Sequence, residues 1–230
     1  MKSLLAKGVY GFPEAARLAD LPVGNLARWF RGRSDHPGSK PVLISDIPAV
    51  GDKCAVSFLD LIDLRVVGRF RARGISMPTV RKVYERLVEQ LSSDHPFAYS
   101  RFMVFGKTVM QKVADEKGNE RLHEVLSGQE AMPRILEKFL ADVEYDEVTK
   151  LAQRWNIAKG VVVDPLRNLG KPMTIESGTG THVLAHSYWA NGKDARLVAD
   201  LFDTGPQTVL EAVDFETSIS RARRGGRHAA

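Results

Sequence analysis

Residues 11–33, GFPEAARLADLPVGNLARWFRGR, hold two short apolar-periodic runs that pivot on Leu21-Pro22. Proline has no backbone N–H and fits the first turn of a helix, where that donor would have no intrahelical partner, but it stops a helix that tries to run through it. Pro13 therefore opens a helix carrying Ala15, Ala16 and Ala19 that ends near Asp20, and Pro22 opens a second. In the second run Val23, Leu26 and Trp29/Phe30 recur at three- and four-residue intervals and are predicted to pack on the alanines of the first, whose small side chains permit close approach. The opposite face carries Gly24, Asn25 and Arg28 and, after the turn, Arg31 and Arg33. These are donors suited to phosphates and guanine edges. The spacing fits a helix-turn-helix whose second helix reads DNA, and it fits equally a plain helical hairpin with a solvated arginine face.

The next segment narrows the choice. Residues 32–50, GRSDHPGSKPVLISDIPAV, are rich in Gly, Pro and Ser around a short apolar run, which predicts a turn and a small β-ribbon or wing. Two helices are predicted after it. Leu59, Ile62, Val66 and Phe70 mark the face of one, Gly74 stops it, and Val80, Val83, Leu87 and Leu91 mark the other.

Composition bounds the rest. A chain of 230 residues that is 43% hydrophobic can bury a substantial core as one large domain or two small ones. No window approaches the eighteen or so uninterrupted apolar residues of a membrane span, and the apolar part of MKSLLAKGVYGFPEAA is too short for a secretory signal, so a cytoplasmic protein without membrane contact is expected. The lone Cys54 excludes an intramolecular disulfide framework and a thiolate cluster for zinc, and is expected to be a small core residue. The net charge of +5 is segregated: residues 1–91 carry +6, residues 92–220 carry −5 and residues 221–230 carry +4. Basic ends of this kind suit polyanions or acidic surfaces.

Beyond DHPFA (94–98), which breaks the helix, RFMVFGKTVMQKVADEKGNERLHEVLSG is enriched in Val, Phe and Met around Lys117-Gly118-Asn119 and predicts two or three strands with a hairpin at 115–119. Helical period returns through Ile135, Phe139 and Val143, and Glu144, Asp146 and Glu147 are expected at a solvated helix end. This region suits a dimerisation platform better than an effector site, since no polar residues visibly converge in it. The C-terminal part has a strand-like lead, a Gly170-Lys171-Pro172 turn and helical runs at 181–190, 194–202 and 206–217, with Val183, Ala195, Val198, Leu201, Val209 and Val213 as a small core. His182 and His186 share a helix face, but no third ligand stands beside them in sequence and no metal is expected. The last eleven residues, SRARRGGRHAA, are expected to be disordered when free.

The fold class read from this pattern is mainly α with a small β component (α+β). It comprises a DNA-binding domain at 1–93, a β-hairpin and helix at 94–156 for dimerisation or connection, a three-helix domain at 157–219, and an Arg-rich tail at 220–230.

PEAARLADLPVGNLARW, a short wing, and LIDLRVVGRFRARGISMPTVRKVYERL with Gly at the joint resemble the MerR-type winged helix-turn-helix over roughly the first 90 residues. The resemblance implies operator DNA binding as a dimer, with the second helix in the major groove. It places Asn25 and Arg28 near base edges or phosphates, and Arg31, Arg33 and Lys40 along the backbone. The Arg-x-Tyr usual near the wing of that family is absent, since PVLISDI supplies neither residue. Further on, Val163-Asp164-Pro165, Gly170-Lys171-Pro172 and Gly178-Thr179-Gly180 resemble, in order, a homeodomain-like family of unknown function found in antitoxins. At Gly180 and His182 that pattern favours Arg and Pro.

Joined to the MerR-like head, the whole resembles VapB-type antitoxins. That resemblance implies a PIN-domain ribonuclease toxin as partner and no cofactor. Such nucleases gather carboxylates around a divalent metal, so Arg221, Arg223, Arg224 and Arg227 of the tail are the candidate toxin contacts; a solubilising or nonspecific DNA-binding tail explains them as well. A stand-alone MerR-like regulator that senses a small molecule is the alternative. Enzymatic activity has little support, because the sequence shows no nucleotide loop, nucleophile elbow or recognisable pair of catalytic carboxylates.

Overall fold

The computed structural model describes residues 7–32, 41–48, 54–100, 102–115 and 140–225, with residues 122 and 137. Eight helices and six short strands lie among these residues. The described residues divide by their contacts into two compact units, one of residues 11–152 and one of residues 7–10 with 153–225.

In the first unit, α1 (Phe12–Ala19) and α2 (Val23–Arg31) form where the two prolines place them. Asp20 ends α1 in the left-handed conformation, φ 57°, with its N–H turned back to the carbonyls of Ala16 and Arg17. Asp tolerates that conformation better than most residues other than Gly and Asn, so the chain reverses within three residues. Leu26 and Trp29 are buried with the alanines of α1, but Val23 is 45% exposed and takes no part in that packing. The expected wing is not seen among the described residues: 41–48 form bends, and the backbone N–H groups of Val42 and Leu43 both donate to the Trp29 carbonyl, at 2.8 and 3.1 Å. An apolar run next to a helix end can satisfy its backbone on that helix's last free carbonyls as well as on a strand.

Strands β1 (Tyr10–Gly11) and β2 (Ala55–Val56) have two residues each. Helix α3 (Phe58–Ala72) opens on a capping box: Ser57 Oγ accepts from the Asp60 N–H and an Asp60 carboxylate oxygen accepts from the Ser57 N–H. It is central to the unit, with Leu61, Ile62, Leu64, Val66, Val67 and Phe70 all buried. Gly74, at φ 78°, allows the turn into α4 (Met77–Leu91), capped by Ser76. Phe97 lies edge-on to Phe70, Tyr84 and Phe102, with ring centroids 5.1 to 5.5 Å apart.

Residues 102–114, expected as strands, are helix α5 (Phe102–Ala114). Phe102, Val109, Met110 and Val113 are buried at helical spacing, and the enrichment in Val and Phe that suggests strand reflects core packing. The hairpin expected at 115–119 falls, beyond Asp115, outside the described residues, as do Ile135 and Phe139. Val143 does not continue a helix but starts β3 (Val143–Tyr145). Glu144 therefore sits on a strand, and Asp146 and Glu147 in the turn after it, where Asp146 Oδ1 accepts from the backbone of Val148 and Thr149. The Thr149 backbone donor holds the Asp146 carboxyl below its usual range.

Behind these elements lies a buried charged cluster that positions them. His95 is 5% exposed; its Nδ1 lies 3.1 Å from Asp63 Oδ2 and 3.8 Å from Asp60 Oδ1, and its Nε2 lies 3.1 Å from Asp46 Oδ1. The other Asp63 oxygen accepts from the backbone N–H groups of Phe97 and Ala98, and Asp60 also accepts from Ser45 Oγ at 2.9 Å. Burial alone would pull the imidazole pKa down, but the carboxylates of Asp46, Asp63 and Asp60 outweigh it and raise it to about 10. Burial raises Asp63 to about 6, against the pull of His95. The ring is thus an imidazolium at neutral pH that ties α3 to the chain at 45–46 and at 95–98.

The second unit begins with β4 (Ala152–Ala158), β5 (Val161–Val163) and β6 (Met173–Thr174), antiparallel and neighbours in that order. Helices α6 (Thr181–Ala190), α7 (Ala195–Leu201) and α8 (Pro206–Gly225) follow. Their core is Leu184, Val198, Ala199, Val209 and Ala212, flanked by Tyr188, Ala195, Phe202 and Val213. Two residues expected there are outside it: Val183 is 37% and Leu201 61% exposed. The motif residues hold loops in place. Asp164 accepts from the Leu166 N–H and from Arg154, and the Tyr10 hydroxyl donates to the Gly170 carbonyl at 2.7 Å. Gly170 has φ 79°, and a Cβ there would lie 2.9 Å from Gly8 Cα, so both space and conformation require glycine. The tail is not wholly irregular, because α8 continues through Arg221, Arg223 and Arg224 to Gly225; a helix already packed on α6 and α7 propagates without a new nucleus.

Replacing His95 by Gln leaves Asp60 and Asp63 buried without their cation and is expected to cost roughly 3–5 kcal/mol at pH 7 in urea unfolding. The pH dependence has a defined sign. The folded pKa of His95, about 10, lies above its ordinary 6.5, so its contribution is full below 6.5 and is lost as pH rises through 10. The wild type should therefore lose stability over that window. An equal loss in H95Q would show that other groups cause it.

Candidate nucleic-acid interface

The exposed face of α2 is built by what the buried face requires. With Leu26 and Trp29 fixed inward, helical geometry turns Gly24, Arg28 and Arg31 outward. Asn25 is half-buried, and its Oδ1 accepts from Arg28 Nη2 at 2.6 Å. Arg28 Nε also donates to the Gly24 carbonyl at 3.4 Å. These two residues therefore form one hydrogen-bonded polar group on the first turns of the helix. A Cβ at Gly24 would meet nothing within 4 Å, so the helix surface beside them is open.

Arg31 is placed differently from Arg28. Its Nε donates to Cys54 Sγ at 3.0 Å, and its guanidinium carbon lies 5.7 Å from the centre of the Phe12 ring. Cys54 is thus half-buried and polar in its contacts, not the core residue expected. Arg33 and Lys40 lie outside the described residues. In the other unit, Arg221, Arg223 and Arg224 are on α8 and Arg227 lies outside the described residues.

Sequence periodicity does not reveal a second group of cations. Arg65, Arg69 and Arg71 of α3 line a cleft of about 390 Å³ together with Leu21, Pro22 and Asn25 of the α1–α2 corner. Arg65 Nη1 donates to the Ala19 carbonyl at 2.9 Å, which caps the C-terminal turn of α1. Its burial, and then the neighbouring Arg69 charge, lower its pKa to about 10, with Asp20 opposing. Arg71 donates to the Ile75 carbonyl. Gly68, between Arg65 and Arg69, admits the corner: a Cβ there would come within 2.8 Å of Leu21 Cδ2. The signal available in sequence is the i, i+4 pair Arg65 and Arg69 in the C-terminal half of a helix whose remaining residues there are mostly apolar.

No group of His, Cys, Asp and Glu among the described residues suits a metal. No helix among them is long and apolar enough to cross a membrane.

The fold and the exposed face of α2 are separable in stability. Leu26→Ala, at a site with no exposure, should cost roughly 2–5 kcal/mol. Arg28→Ala should leave the urea midpoint unchanged, because its partners are exposed and belong to its own helix. A large loss of stability in R28A would make the arginine part of the fold.

No protein-family model matches this sequence. The chain is similar to a protein named "Putative antitoxin VapB45" from Mycobacterium tuberculosis, 24% identical over 224 residues that span 90% of this chain and 92% of the other. The crystal structure of Rv2018 from Mycobacterium tuberculosis has the same fold, with a TM-score of 0.73 at 23% identity, over 89% of this chain and 96% of that one. The arrangement described above is therefore that of a known, experimentally observed fold of mixed helix and strand.

Proposed function

We propose that this chain is the antitoxin of a toxin–antitoxin pair, that it neutralises a PIN-domain ribonuclease, and that as a dimer it binds operator DNA to control its own operon. The observation that carries the reading is the similarity to the protein named "Putative antitoxin VapB45", which spans 90% of this chain and so extends through both units. A likeness confined to the first 90 residues would have suited a stand-alone regulator just as well.

The division of labour follows the chemistry of the units. The α1–α2 pair presents Asn25, Arg28 and Arg31 with no carboxylate among the exposed residues of α2, and is the operator-binding element, with Arg33 and Lys40 along the backbone. The C-terminal arginines, Arg221, Arg223, Arg224 and Arg227, are the toxin contacts. Three of them, Arg221, Arg223 and Arg224, belong to the last turns of α8, where cations also favour the helix dipole, and the set complements the acidic metal site of a PIN-type nuclease.

Two experiments test the two halves. The tagged full chain, coexpressed with the product of its neighbouring reading frame, should copurify with a PIN-type ribonuclease in near-stoichiometric amount and suppress its RNA cleavage. Deleting residues 220–230 should abolish suppression and leave DNA binding intact. Recovery of the chain without a protein partner would overturn the antitoxin assignment. In a gel-shift titration at fixed salt on the duplex upstream of its own reading frame, R28A should bind more weakly by roughly 1–3 kcal/mol if it reads a base. Unchanged affinity would remove Arg28 from the interface.

A further inference from the structure

Arg69 stands out among the cations of the described residues. It is half-buried, and its Nε, like that of Arg65, is shielded from solvent with no acceptor among the described residues; unlike Arg65, whose Nη1 is held at the Ala19 carbonyl, it has no anchoring contact of that kind. An Nε–H in that position has given up water without gaining an acceptor, which is costly unless something else supplies one. Its neighbours add to the cost. Arg65, one turn earlier on α3, is held at the Ala19 carbonyl, and Arg71 also lines the cleft. Like charges at i and i+4 on a helix repel. Asp20 is the one carboxylate of the lining, and it is exposed and belongs to the corner opposite.

The cleft is also preformed. Leu21 presses over Gly68, so the α1–α2 corner sits tight on α3, and Arg65 pins the end of α1 from below. The far wall carries Asn25, whose Oδ1 is taken by Arg28 while its amide nitrogen has donors to give. The cleft therefore opens beside the Asn25–Arg28 pair, and its walls offer guanidinium and amide donors, the set that phosphate oxygens recruit.

We propose that this cleft is a phosphate-group site in which Arg69, oriented by the Arg65-capped corner and joined by Asn25, receives a backbone phosphodiester of the operator next to the bases approached by α2. The inference rests on the reading of α2 as a DNA-contacting helix for the source of the phosphate, and on the cleft itself for the chemistry. It assigns positioning of the duplex to α3, a helix whose other residues build the core.

Arg69→Met removes the donor and keeps an unbranched stem, so the full-length variant should unfold at or above the wild-type temperature, since a desolvated donor is gone. Binding to the upstream duplex and to a random-sequence duplex should weaken by the same factor, and the slope of log K against log salt should become shallower by about 0.9, the signature of one phosphate contact. Arg196→Gln, on the exposed face of α7, controls for the loss of one positive charge and should leave the slope unchanged.

A second arm uses inorganic phosphate in thermal unfolding of both proteins. Saturable stabilisation of the wild type that R69M lacks, with duplex binding unaltered, would support the site and assign it to a free phosphate ligand. A chain that binds no duplex at all would overturn the operator reading while leaving the cleft to be judged by the phosphate arm. Equal salt slopes together with equal responses to phosphate would overturn the site.

Discussion

An imidazolium enclosed by carboxylates organises the first unit. His95 is reached by Asp46 from one segment and by Asp60 and Asp63 from α3, and Asp63 in turn receives the backbone donors of Phe97 and Ala98. Three stretches far apart in sequence are thereby fixed around one ring. The desolvation of such a group is large, and a well-packed apolar substitute would often be as stable. What the charged cluster adds is uniqueness of arrangement: both Asp63 oxygens and Asp60 Oδ2 have named donors, and shifting any of the three segments breaks several contacts together. The consequence reaches α2, because the segment that carries Asp46 also carries Val42 and Leu43, whose N–H groups close the end of that helix at Trp29.

That cluster was not legible in the sequence, and the reason is physical. His95 sits in DHPFA, which reads as a helix breaker, and Asp46 lies 49 residues away. Nothing local distinguishes a carboxylate destined for a buried ion pair from one in water. The elements that were legible have local causes. Pro13, Pro22, Gly74 and the caps at Ser57, Ser76 and Asp194 set helix boundaries through the chain's own backbone, and the three C-terminal helices start or stop at Gly192 and Asp203-Thr204-Gly205 as expected. Helix α5 is less legible because its buried face is rich in Phe, Val and Met, a composition that strands share, although Phe102, Val109, Met110 and Val113 recur at helical spacing.

The candidate interface divides along the same line. Asn25 and Arg28 are three residues apart on an amphipathic helix, so periodicity alone brings them together. Arg65 and Arg69 belong to a helix buried on nearly every side, and their exposure depends on the α1–α2 corner, which leaves a cleft where close packing would otherwise run. A sequence pattern reports which face of a helix is apolar but not where a neighbouring element stops short.

The stopping point is itself determined by one residue. At Gly68 the absent side chain lets Leu21 descend onto α3, and this contact decides how far the corner reaches along the helix. Beyond it Arg69 is left with a buried Nε and no acceptor among the described residues. A fold optimised only for stability would place an apolar residue at that position, since removing an unpaired buried donor is neutral or favourable. Retaining arginine in a preformed pocket, one turn from a second arginine, makes physical sense where the missing acceptor arrives from outside the chain. Two neighbouring arginines on one helix, each with a shielded Nε that no described residue accepts from, are the kind of local departure from the rules of packing and charge expected of a functional surface.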